Sequence, residues 1–120
     1  MCKRLEILIV GFVVTTSGLP AWGQSSAFID EYILLHSMTA AIKAEQICRG
    51  FKADYFSIAA QFDKEKKKFV ETKPTAESLF DPIHKANINS IGVELWCADQ
   101  WEELGPKGVI RKGFLVRKPE

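Results

Sequence analysis

The stretch SAFIDEYILLHSMTAAIKAEQICRG, residues 26–50, decides the fold class. Phe28, Tyr32, Leu35, Met38 and Ile42 recur at steps of three and four, and Ile29, Ile33 and Ile47 widen the stripe. That is the spacing of one helical face and not the alternation of a strand. Gly50 supplies the left-handed residue that commonly closes a helix. A helix is therefore predicted over 26–49.

Two more helices follow from the same reasoning. Tyr55, Ile58, Phe62 and Phe69 form a narrow apolar seam flanked by Ala59, and Asp63 with Lys67 makes a favourable i,i+4 pair on the outer face. This predicts a second helix over 52–72, closed at Lys73-Pro74 because the residue before proline avoids helical backbone. Asp81-Pro82 is a start signal, a capping side chain followed by a ring suited to the first helical turn. Gly105-Pro106 is the matching stop. The third helix is predicted over 82–104. Asn87, Asn89, Ser90 and Gly92 are weak helix formers in its middle, where a kink or break is expected.

The tail, 107–120, mixes basic and apolar side chains: Val109, Ile110, Phe114, Leu115 and Val116 among Arg111, Lys112, Arg117 and Lys118. Gly108 and Gly113 argue against a helix, so the tail is expected to be extended across the bundle, with a two-stranded turn as one form. These nine residues are also the candidate interaction surface. Short apolar-basic segments dock on a membrane surface or a sheet edge, and the same side chains can instead cover a small core.

The expected architecture is thus all-α: a small up-down-up three-helix bundle with an extended tail. In such a bundle the first and third helices are parallel, which brings Cys48 and Cys97 to the same end. A bridge there fits the roughly 4–7 Å Cα separation a disulfide requires. Closing a loop of about 50 residues stabilises a fold by roughly 4 kcal/mol in the chain-entropy model. Phe51, Tyr55, Trp96 and Trp101 are expected to gather near that end.

The N-terminus supplies the compartment that such a bridge needs. Lys3 and Arg4 precede an apolar run from Ile7 to Val14, and Thr15 to Trp22 then turn polar and rich in helix breakers. This reads as a secretory signal over 1–23, cleaved after Gly23 or Ala21, and leaves 24–120 as a single small helical domain in the periplasm or outside the cell. The apolar run is well short of the about 20 residues a spanning helix needs. An uncleaved anchor is the other reading. Removal of the signal takes Cys2 away, leaving an even number of cysteines in an oxidising compartment. It also takes Lys3, Arg4 and Glu6 from totals of 16 basic and 15 acidic residues, so the signs balance. Nucleic acid, which selects a clearly basic face, is not expected as a partner.

Nothing in the motifs marks a reaction or a cofactor. His36 and His84 lack H-x-x-x-H or H-E-x-x-H spacing, and neither C-x-x-C nor C-x-x-C-H occurs. A pairing of Ser90 with His84 has no G-x-S-x-G around it. The carboxylates of Asp30-Glu31 and Glu102-Glu103 are adjacent in sequence and point apart on a helix. Catalytic residues, metals and cofactors are therefore expected to be none.

The resulting functional expectation is a non-catalytic binding or interaction protein of the cell envelope, its partner another envelope protein, with membrane contact through the tail as an option. Cys48-Arg-Gly-Phe51 and the single long-range cysteine pair are similar in coarse plan to the periplasmic acid-stress chaperones. That resemblance implies the alternative function. A small hydrolase or ligand carrier using a pocket near Trp96 and Trp101 is a third.

Overall fold

The computed structural model describes residues 19–119 and is mostly helical. Residues 1–18 of the expected export signal lie outside the described residues. In chain order the elements are α1 (Leu19–Ile47), β1 (Phe51–Ala53), α2 (Tyr55–Lys64), α3 (Phe69–Ile91), α4 (Val93–Leu104) and β2 (Leu115–Arg117). The chain divides into two compact units, one ending at Tyr32 and the other beginning at Ile33. The second unit carries the core described below.

The three-helix plan is corrected to four helices and a small sheet among the described residues. The second helix does not begin at residue 52. Asp54 accepts hydrogen bonds from the Ser57 amide at 3.1 Å and the Ser57 hydroxyl at 3.0 Å, so α2 starts at Tyr55. Such a cap satisfies one of the donors orphaned at a helix start. The helix then stops at Lys64, where Lys66 takes a left-handed φ of 60° and Lys67 donates to the Phe62 carbonyl at 2.8 Å. Continuing the helix through Lys64, Lys66, Lys67 and Lys68 would stack like charges at neighbouring turns.

Neither Pro74 nor Pro82 breaks α3, which runs through both. Each proline withdraws one N–H from a carbonyl four residues earlier, that of Val70 or Ser78. Val70, Pro74, Ser78 and Pro82 are all exposed, so water can take the freed acceptors. The opposite face of α3 buries Ala76, Phe80 and His84. The expected weak point in the third helix is real. It falls at Gly92, whose φ of 93° separates α3 from α4.

The tail is extended and pairs with β1. The antiparallel register sets Phe51 opposite Arg117, Lys52 opposite Val116 and Ala53 opposite Leu115. Two further bonds extend the ladder: Asp54 N–H to the Phe114 carbonyl at 2.9 Å and Lys118 N–H to the Gly50 carbonyl at 2.8 Å. The Ala53 N–H donates at 2.8 Å to the Glu45 carboxylate on α1, so this donor of β1 is also satisfied. Before reaching β2, the tail caps α4. The amides of Val109, Ile110 and Arg111 donate to the carbonyls of Glu102 and Glu103, the acceptors a helix end leaves open.

The core draws on every element: Leu34, Met38, Ala41 and Ile42 from α1, Phe51 and Ala53 from β1, Ile58 and Phe62 from α2, Phe80 from α3, Trp96 and Leu104 from α4, and Phe114 and Leu115 from the tail. The buried face of α1 keeps Met38 and Ile42 of the expected stripe, with Leu35 packed against the core, and is widened by Leu34 and alanines. Phe28 and Tyr32 are exposed, while Ala40, Ala41 and Ala44 are buried. Those alanines admit close approach of neighbouring elements, which a count of large apolar residues misses.

Candidate functional site

Cys48 follows the end of α1 and is buried; Cys97 lies on α4 and is half-buried. They are joined in a disulfide with a Cα separation of 5.8 Å, inside the range that needs no backbone distortion. The bridge floors an open groove of about 790 Å³ whose walls are Ile47, Arg49, Phe51, Val93, Glu94, Ala98, Trp101 and Arg117.

One wall is a cluster of two stacked rings and a guanidinium that touches both. The rings of Phe51 and Trp101 lie 5.1 Å apart at an interplanar angle of 25°. The Arg117 guanidinium sits 4.5 Å from the Trp101 ring centre and 5.5 Å from that of Phe51. A guanidinium over an aromatic face is held by the ring quadrupole while its edge N–H groups stay available to an acceptor. The register makes this arrangement, because Arg117 faces Phe51 across the sheet. With Arg49 and Arg117 against Glu94, cationic side chains outnumber anionic ones along the groove. Ile47 and Val93 add exposed apolar surface to the lining.

The other tail residues divide between core and surface. Phe114 and Leu115 are buried and Val116 is half-buried. Arg111 forms an ion pair with Glu65 at 3.3 Å, most of its side chain covered. Val109, Ile110, Lys112 and Lys118 are exposed. Of the expected aromatic gathering, Phe51 and Trp101 meet at the groove. Tyr55 instead packs edge-on to Phe69, and Trp96 packs edge-on to His84.

A second hollow, of about 220 Å³, lies between α1, α3 and α4 and is lined by His36, Asn87, Ser90, Ile91, Trp96, Asp99, Gln100 and Glu103. Burial, then the charges of Asp99 and Glu102, push the Glu103 carboxyl above its ordinary value. The Gln100 Oε1 is buried and has no hydrogen-bond donor among the described residues. Beneath lies His84, 1% exposed, with its ring centre 4.6 Å from that of His36. Neither histidine stands in open solvent, and sequence spacing gave no signal that two residues 48 positions apart would meet.

Among the described residues no three of His, Cys, Asp and Glu converge on a metal-sized site. No helix among them is long and apolar enough to cross a membrane. Searches against protein-family models, curated proteins and solved structures found no match to this chain.

Proposed function

We propose that the protein is an exported, non-catalytic binding protein of the cell envelope and that it holds a partner protein in the groove beside Cys48–Cys97. The observation that carries this reading is the Phe51–Trp101–Arg117 cluster at a groove of mixed polar and apolar surface floored by the disulfide. Tryptophan and arginine dominate protein interfaces energetically because they combine large contact area with a directed polar group. A groove tied by a covalent bridge is pre-organised, which lowers the entropy lost on association. The chemistry of the walls selects a partner that offers an apolar side chain toward Ile47 and Val93 and a carboxylate toward Arg117.

The test is a photo-reactive amino acid placed at Val93 in the full chain, with the exposed α3 position Ser78 as control. A discrete adduct from position 93, weakened by Arg117→Ala and absent from position 78, supports the reading. Equal adducts from both positions, or none from 93, would sink it.

A further inference from the structure

His84 is an imidazole enclosed by three helices. Its own helix α3 contributes Phe80, with ring centres 6.5 Å apart; α4 contributes Trp96 at 6.1 Å; α1 contributes His36 at 4.6 Å and the Thr39 hydroxyl, 2.8 Å from Nε2. The Thr39 hydroxyl has a single proton, and the carbonyls of Leu35 and His36 lie 2.9 and 3.0 Å from its oxygen. With that proton directed to the carbonyls, the hydroxyl accepts from His84 Nε2–H. The lone pair of the neutral ring is then on Nδ1, and an added proton has to enter there, inside the core.

We propose that the His36–His84 pair is an acid-operated latch: protonation of the two imidazoles parts α3 and α4 from α1 on the Trp96 side, while Cys48–Cys97 keeps α4 tied to the end of α1. Two cations at 4.6 Å in a low-dielectric surround repel strongly, and each also loses its hydration. Burial, then the charges of His36 and Lys43, lower the His84 value to about 4 against a weaker opposing hydrogen bond to the His36 backbone, and burial lowers His36 as well. The groups facing the pair from α1 are thus cations or potential cations. From α4, Asp99 and Glu103 line the hollow beside His36 and would support its charged form. Glu103 takes up its proton earlier than an ordinary carboxyl, so part of that support is withdrawn as acid is added. The device goes beyond the groove reading and holds whether or not the groove has a partner.

The test uses the full, oxidised chain, followed by near-UV circular dichroism and tryptophan fluorescence from pH 7 to 3. The expected wild-type result is cooperative loss of tertiary signal between about pH 6.5 and 4, where a neutral buried histidine must charge. His84→Gln, which keeps an amide donor for Thr39 and cannot titrate, is expected to move the midpoint below that window. His36→Gln keeps His84 and removes only its charged neighbour, so it is expected to shift the midpoint to lower pH by a smaller amount. A wild-type chain that keeps its signal to pH 3 overturns the proposal. So does a folded His36→Gln chain whose midpoint matches wild type, because the pair would then have no part in the transition. Should His84→Gln fail to fold, the histidine C2-proton resonances of the wild type decide: a His84 signal titrating at its ordinary value in an intact fold overturns the latch.

Discussion

The Arg117 guanidinium lies 4.5 Å from the centre of the Trp101 ring, at the edge of the groove that the disulfide floors. Arg117 is exposed, and an exposed cation–π contact contributes only about 0.5–1 kcal/mol. Arg117→Ala is therefore expected to lower stability by less than about 1 kcal/mol in urea unfolding while weakening the adduct formed from position 93. A large stability loss would make Arg117 a structural residue instead of a contact residue.

The tail gives a sharper contrast. Phe114 and Leu115 are buried and β2 pairs with β1, so removing everything after Gly108 should abolish the cooperative melt or depress its midpoint strongly. Leu115→Ala alone is expected to cost about 2–5 kcal/mol, the usual range for emptying a filled core site. Lys112→Ala, on exposed tail, should change stability by less than about 0.5 kcal/mol. A truncated chain that melts like the intact one would return the tail to a purely binding role.

Gly108 is held by contact. A Cβ at this position would collide with the Glu103 carbonyl oxygen just where the tail turns back to cap α4. Gly108→Ala should therefore cost about 1–3 kcal/mol by forcing the turn apart. Thermal melting checks this, and amide exchange should show faster exchange at Val109, Ile110 and Arg111, whose N–H groups cap the helix.

The pH dependence of stability follows from His84. Its value falls from 6.5 in the unfolded chain to about 4 in the folded one. Between those values the unfolded state binds more protons, so stability rises with pH across the window and falls as acid is added. The contribution is fully present above pH 6.5 and is lost on the way down to about 4. Its upper bound is about 3 kcal/mol. Urea midpoints at pH 7, 5.5 and 4.5 should fall steadily in wild type, and the fall should shrink in His84→Gln.

Much of the fold was legible where a residue acts on its immediate neighbours. The close of α1 near Gly50, the stop at Gly105 and the weak point at Gly92 all came from local chemistry, while the cysteine pairing came from the count of cysteines left once the signal is removed. What escaped depended on the rest of the molecule. Pro74 and Pro82 read as boundaries because a proline deprives a carbonyl of its donor, yet both carbonyls belong to exposed residues and the opposite face of α3 is buried. Phe51-Lys-Ala53 alternates as a strand does, but three residues are too few to outweigh the helical seam behind them. Only pairing with 115–117 makes the strand. The groove was half-legible: the disulfide and the Phe51–Trp101 meeting were expected, whereas the place of Arg117 over both rings depends on sheet register. The meeting of His36 with His84 had no sequence signal, because it is set by the packing of α1 against α3.

The central claim is that the chain works oxidised and outside the reducing cytoplasm, with Cys48 and Cys97 joined beneath a binding groove. The most direct measurement is the intact mass of the natural protein from its host, taken with and without reductant and after thiol alkylation. The expected result is a chain beginning at Gln24 or Trp22 that gains two hydrogens on reduction and accepts alkylation at Cys48 and Cys97 only afterwards. A chain that begins at Met1 and carries free, alkylatable thiols at both positions before reduction would contradict it.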